Sequence, residues 1–280
     1  MIISRITSGL GNQMFQYAIG RSLSLQHQTS LKLDIMNFDK KQYRKFGLTN
    51  FNLNIEYASS NEINSFKGHL IDFFKPYHKK KNIKERYTHY DPTIKNLIND
   101  DLYLGGYWQS DKYFKDFEVE IRKDLAFKSS IITNVSDQQK LIQNSNSVSL
   151  HIRRGDYHSH PIIAKSHGVL SLEYYYNAIK HLKETDHSLI FFIFSDDMHW
   201  VKNNLKLKEN VHFVEGNTEI EDLFLMSICK NNIIANSTFS WWGAWLNSNK
   251  EKIVIMPEFW FKDKPYNKSD IAPSQWLRMK

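Results

Sequence analysis

The chain has 280 residues, suited to two domains rather than one, and its 41% hydrophobic and 14% aromatic content excludes a disordered chain. Its longest apolar run, Leu189 to Phe194, is far short of the roughly 20 residues of a membrane-spanning helix, and the single cysteine, Cys229, excludes intramolecular disulfides and a cysteine-based zinc site. The net charge of +7, from 37 basic and 30 acidic residues, favours an anionic partner: a nucleotide-sugar, an anionic membrane surface or nucleic acid.

Met1 to Arg5 carry no signal-peptide core, so a reducing, cytoplasmic setting is expected. The first half opens with a strand at 2–7, a glycine-rich turn over Ser8 to Gln13, an amphipathic helix from Met14 to about Gln26 and a strand at 31–35. Gly9-x-Gly11 between a strand and a helix lets backbone approach an anionic ligand, and the amides of Asn12 and Gln13 suit sugar hydroxyls. The turn is not a full dinucleotide fingerprint, since a third glycine is missing at the required spacing, and an ordinary tight turn is the alternative. From Asn37 to Thr88 the pattern blurs. The cluster Lys79 to Lys81 reads as a solvated loop, with contact to an anionic membrane surface as the alternative. Signals return at Leu102 to Ser110 and in a helix from about Asp111 to Leu125. The polar stretch Ser129 to Ser147 marks a boundary, giving a domain over 1–140 and another over 141–280, whose last helix is expected to pack back on the first.

The second half alternates strands at 148–152, 189–194, 211–214, 232–235 and 253–256 with helices over Leu172–Lys183, Met198–Leu205, Glu219–Cys229 and Phe239–Asn247. That rhythm predicts right-handed crossovers and a parallel, Rossmann-like sheet. Thr218 and Glu221 form a capping box for the third of these helices.

Along 148–152, Val148, Leu150 and Ile152 take one face, which leaves His151 and Arg153 side by side on the other as the strand leaves the sheet. Open α/β sheets bind ligands at such an edge, and arginine's planar fork suits phosphate. A local salt-bridge knot of Arg153, Arg154 and Asp156 is the plainer alternative; in the functional reading Arg153 faces the ligand with His151 while Arg154 or Asp156 holds the turn, and Arg154 is counted with the donor-binding residues. Ser237, Thr238 and Ser240 lie where a helix begins, and helix N-termini bind phosphate through free N–H groups. Together these make a diphosphate clamp. Asp196, in Ser195 to Asp197, reads first as a helix cap and second as a group near the ligand. Asp222 is either an acid favoured by the helix dipole or the acceptor for a guanine edge. Trp241, Trp242, Trp245 and Tyr174 to Tyr176 read as core. No metal is expected, because no third carboxylate or histidine accompanies Asp196 and Asp197 at ligand spacing.

The segments Gly9 to Tyr17, Gly106 to Phe114, His151 to Tyr157, Phe194 to Asp197 and Asn236 to Leu246 together resemble the α-1,2-fucosyltransferases of glycosyltransferase family 11, in the family's order over most of the chain. The resemblance implies an α/β, GT-B-like fold of two Rossmann-like domains facing a central cleft. It also implies GDP-β-L-fucose as donor, no metal cofactor, and inverting transfer to the 2-hydroxyl of a terminal galactose on an oligosaccharide or lipid-linked glycan such as an O-antigen unit. It places Arg153 on the β-phosphate, His151 near the nucleotide and Asp222 on guanine. Because the chain starts directly at its first strand, it resembles a bacterial form, soluble or peripheral on the inner membrane's cytoplasmic face. Asp156, with His158 as alternative, is the candidate general base; His160 and Glu258 are further candidates. Two other readings stay open at this stage: a GT-B transferase with a different nucleotide-sugar, and a non-enzymatic basic nucleotide- or RNA-binding protein. The last lacks aromatics alternating with Lys or Arg on one sheet face, so a nucleic-acid partner is not expected.

Overall fold

The computed structural model describes residues 1–38, 44–66, 75–97, 100–155, 168–207, 210–261 and 270–280. The chain divides into two compact units, Met1–Ala126 with Ser269–Pro273, and Phe127–Lys268 with Ser274–Lys280. Each is built on a parallel sheet.

In the first unit the strands are β1 (Ile2–Arg5), β2 (Leu31–Asp34), β3 (Asn82–Lys84) and β4 (Leu102–Gly105), in the order β2-β1-β4-β3. Helix α1 (Leu10–Gln26) connects β1 to β2 and buries Met14, Phe15, Ala18, Ile19 and Leu23. It starts a turn earlier than the Met14 expected: Gly9 is the N-cap, so Gly11, Asn12 and Gln13 belong to the first helical turn. After the short α2 (Ser60–Ser65), the single helix expected over Asp111–Leu125 is two 3-10 turns followed by α3 (Glu118–Asp124). Tertiary contacts break it: the Phe114 ring packs against Phe15 at 6.2 Å, and the Tyr113 hydroxyl accepts the Asp91 N–H at 2.9 Å. Strand β3 was hidden in the sequence because Ile83 is its only apolar residue.

The second unit contains α4 (Ser129–Asn134), α5 (Ser136–Gln143), β5 (Ser147–Ile152), α6 (Leu172–Thr185), β6 (Ile190–Ser195), α7 (Met198–Asn204), β7 (Val211–Phe213), α8 (Glu219–Ser227), β8 (Asn231–Ile233), α9 (Thr238–Leu246), β9 (Val254–Pro257) and β10 (Leu277–Met279). Its order, β10-β9-β8-β5-β6-β7, is the doubly wound one, in which the chain builds outward from β5 on one side and then from β8 on the other. Val148, Leu150 and Ile152 pack with Tyr175, Ile179 and Leu182 of α6. On the opposite face the Asn232 amide donates to the Ser149 hydroxyl at 2.7 Å, and the His151 ring lies 5.6 Å from that of Phe239. Trp241, Trp242 and Trp245 are buried, as are Tyr174 and Tyr175.

The polar stretch after 128 is not a linker. Helices α4 and α5 belong to the second unit, held by Phe127 against Phe224 at 5.3 Å and by the Asn134 amide on Glu221 at 3.0 Å, so the division falls ahead of 140. Among the described residues no helix follows Leu246, and the last described element is β10, which pairs in parallel with β9. Among the described residues no helix is long and apolar enough to cross a membrane.

Candidate functional site

A doubly wound sheet binds ligands outside the carboxyl ends of its strands, where the winding direction reverses. In the second unit that point lies between β5 and β8, neighbours through Leu150 and Ile233. Strand β5 runs into Arg153–Gly155 and β8 into Ile234–Ser237, so the histidine–arginine end and the start of α9 share one edge.

The turn after β5 is organised by Asp196. Its Oδ1 accepts the Arg154 N–H at 2.8 Å, its Oδ2 accepts the Gly155 N–H at 3.0 Å, and the Arg153 guanidinium lies 3.0 Å from Oδ2. Glycine at 155 leaves room for that carboxylate, since a Cβ there would stand 2.7 Å from Asp196 Oδ2 and push it aside. Asp197 is the residue that caps α7, accepting the Trp200 N–H at 3.1 Å. The cap expected of the pair is therefore Asp197, and Asp196 serves the turn. Arg154 takes a separate path: its Nε is 3.3 Å from Asp197 Oδ2 and its guanidinium stacks 4.0 Å from the Trp200 ring centroid.

His151 is 3% exposed, and its Nδ1 has no hydrogen-bond partner among the described residues. Burial drives its pKa down to about 4; Asp196 opposes that shift and Arg153 adds to it, so the ring is neutral near pH 7. Helix α9 begins at Thr238 with Ser237 as N-cap, no side-chain cap bond and no acid in its first turn. First-turn N–H groups have no partner within a helix, which leaves this end electropositive. Ser237 is buried and Thr238 half-buried. The Ser240 hydroxyl instead turns back on the carbonyls of Ala235 and Ser237, at 3.4 and 3.3 Å, and braces the turn.

Asp222 stands in the first turn of α8, beyond the carboxyl end of β7 and so on the same sheet edge. Its neighbour Glu221 makes the capping box with Thr218, which frees Asp222 from that duty. Asp222 Oδ1 accepts from the Asn217 amide at 3.1 Å. Burial, with smaller contributions from Glu221 and Glu219, raises its pKa to about 6 against the lowering by Asn217.

In the first unit the corresponding reversal lies between β1 and β4. There Gly9 to Gln13 meet Gly106 to Gln109. Gln13 departs from the expectation of a sugar contact: its amide donates to the Ser8 and Lys45 carbonyls, both at 2.8 Å, and accepts the Gly47 N–H at 2.9 Å. Asn12 stays half-buried, with Oδ1 accepting from Gln109 Nε2 at 2.8 Å. Glu85, which carried no sequence signal, accepts the N–H groups of Tyr107 and Trp108 at 2.7 and 2.9 Å. Asp156, His158 and His160 lie outside the described residues. Glu258 follows β9 and has Lys280 at 3.8 Å. Among the described residues no group of three or more His, Cys, Asp or Glu could hold a metal ion.

The model of Glycosyl transferase family 11 matches residues 1–280. The chain belongs to this family. As a family 11 glycosyltransferase it is similar to the Alpha-1,2-colitosyltransferase of Escherichia coli, 35% identical over 100% of this chain and 99% of the relative. It is also similar to the O-antigen biosynthesis glycosyltransferase WbnK of Escherichia coli, 33% identical over 99% of each chain. Among solved structures it resembles the NodZ alpha-1,6-fucosyltransferase soaked with GDP-fucose, NodZ from Bradyrhizobium, with a TM-score of 0.54 at 13% identity over 88% of this chain and 91% of that one. That likeness gives the fold, α/β and GT-B-like, in agreement with the family resemblance.

Proposed function

We propose that the chain transfers L-fucose from GDP-β-L-fucose to the 2-hydroxyl of a terminal galactose, on an oligosaccharide or a lipid-linked O-antigen unit, with inversion and without a metal ion, in the cytoplasm. The observation that carries this reading is that Arg153 and the start of α9, which has no side-chain cap bond, follow adjacent strands at the switch point of the second sheet. The diphosphate lies between them, beside neutral His151. As the bond from fucose C1 to the β-phosphate oxygen breaks, one more negative charge develops on GDP. Donors already fixed at that oxygen bind it more strongly in the transition state and lower the barrier. The acceptor oxygen bonds to C1 from the opposite face and gives its proton to a base, for which Asp156, with His158 as alternative, remains our assignment. Product formation from GDP-fucose and a galactoside panel, with the new linkage read by NMR, tests the reading; absence of transfer to every galactoside refutes it.

Turnover should survive EDTA, because Arg153 and helix N–H groups take the place of a cation on the leaving diphosphate. Loss of activity on chelation, restored by Mg²⁺ or Mn²⁺, would contradict the clamp.

Asp222 reads guanine N1–H and N2–H₂ in its ionised form. Its pKa of about 6 in the free protein means that lowering the pH from 7 to 5 protonates it and removes the acceptor. GDP affinity should therefore fall with pH more steeply in the wild type than in Asp222→Ala. At pH 7 the variant should bind GDP more weakly by about 1.5–3 kcal/mol. Titration calorimetry at both pH values checks this, and parallel pH slopes would return Asp222 to a structural role.

The colitosyltransferase relative favours a second reading, in which the donor sugar is colitose. Direct competition between GDP-fucose and GDP-colitose separates the two.

A further inference from the structure

The polar stretch after 128 reads as a boundary in the sequence, yet its two helices reach the acids at the start of α8. The Asn134 amide of α4 donates to Glu221 Oε1 at 3.0 Å, and Gln138 of α5 meets Asn217, which stands just ahead of the Thr218 N-cap. The Asn217 side-chain nitrogen has two hydrogens, and both are used: one on Gln138 Oε1 at 2.8 Å, the other on Asp222 Oδ1 at 3.1 Å. Gly216, at φ 82°, makes the left-handed step that leads into Asn217. All these residues belong to the second unit.

This chain of bonds acts on the orientation of one carboxylate. The terminal torsion of an aspartate is broad and roughly two-fold, so a carboxylate held by nothing samples many planes. Guanine offers N1–H and N2–H₂ side by side, and two parallel bonds form well only when the carboxylate lies near the plane of the base. Asn217 anchors Oδ1 through one lone pair and leaves the other side of the carboxylate to a ligand. Without Gln138 the Asn217 amide would have no second bond to fix its own rotation. Asn217 also favours the ionised form: burial raises the Asp222 pKa to about 6, Glu221 and Glu219 add to the rise, and the Asn217 bond opposes it. The charged residues of α5, Asp137 and Lys140, pair with each other at 3.6 Å, and α4 and α9 carry none.

We infer that Gln138 and Asn217 are positioning residues for base recognition: Gln138 holds the Asn217 amide, and Asn217 sets the plane of the Asp222 carboxylate. The inference rests on the reading of Asp222 as the guanine acceptor.

The test is titration calorimetry at pH 7 with GDP and with IDP, whose base keeps N1–H and lacks the 2-amino group. The wild type should bind GDP roughly tenfold more tightly than IDP, the effect of one well-placed hydrogen bond to a carboxylate. Asn217→Ala should weaken GDP binding about tenfold and lower the GDP-to-IDP preference to about threefold or less. Gln138→Leu should move both in the same direction by a smaller factor. The double variant should match Asn217→Ala, because Gln138 acts only through Asn217. Asn134→Ala is the control: it loosens the same helices at Glu221, so it should lower the thermal midpoint and leave the GDP-to-IDP preference at the wild-type value. A wild-type preference in both Asn217→Ala and Gln138→Leu, or an equal fall in Asn134→Ala, overturns the positioning role. Failure of the underlying reading looks different: Asp222→Ala would then bind GDP as the wild type does, and the inference would fall with it.

Discussion

Arg153→Lys should give a folded protein whose kcat falls roughly 10²–10³-fold, the size of effect seen when one preorganised donor to a developing anion is lost. Lysine keeps a positive charge near Asp196, so the turn after β5 should survive. What it loses is the planar fork that donates two parallel bonds to a phosphate. GDP affinity should fall as well, because GDP is the departing group. Arg154→Lys is the control. Its guanidinium is stacked on Trp200 and paired with Asp197, so the change should cost about 0.5–1 kcal/mol of stability and leave kcat near wild type. Steady-state kinetics and thermal midpoints on both variants check the division of labour. A swap of the two effects would show that the ligand lies on the Arg154 side.

Asp196→Ala should be more damaging to the fold and comparably damaging to turnover. The carboxylate collects two backbone N–H groups and the Arg153 guanidinium, and truncation leaves all three without that acceptor. Charge-assisted bonds of this kind contribute about 1.5–3 kcal/mol each when buried, and Asp196 is partly exposed, so a total loss of roughly 2 kcal/mol is expected. With Arg153 no longer held, kcat should also drop in conditions where the variant is fully folded. Combining Asp196→Ala with Arg153→Lys should cost less than the sum of the two, since both act through one guanidinium. Urea midpoints give the stability and initial rates the chemistry. Full additivity in kcat, or an unchanged midpoint, would remove Asp196 from the positioning role.

The parts of the fold that were legible in the sequence share one property: each is decided by local pattern. The period-2 run at Val148, Leu150 and Ile152 placed β5 and both of its faces, and the apolar run to Phe194 placed β6. The capping box at Thr218 and Glu221 fixed α8. What was missed is decided by partners far along the chain. The helix expected over 111–125 gives way where Phe114 and Tyr113 find Phe15 and Asp91, and β3 carries too little apolar sequence to stand out. The same holds at the candidate site. Gln13 resembles a ligand contact in sequence because an amide serves sugar hydroxyls and backbone equally well; only the fold brings Lys45 and Gly47 to it. Asp196 looked like a cap because the N–H groups it accepts belong to residues more than 40 positions earlier. Glu85 was silent for the same reason.

If the donor's diphosphate is held between Arg153 and the first turn of α9, a crystal structure of the GDP complex will show it there. A β-phosphate oxygen should lie within hydrogen-bond distance of the Arg153 guanidinium, with phosphate oxygens facing the N–H groups of Thr238 to Ser240. Phosphates bound at the Gly9–Gln13 turn, or touching neither Arg153 nor α9, would contradict it.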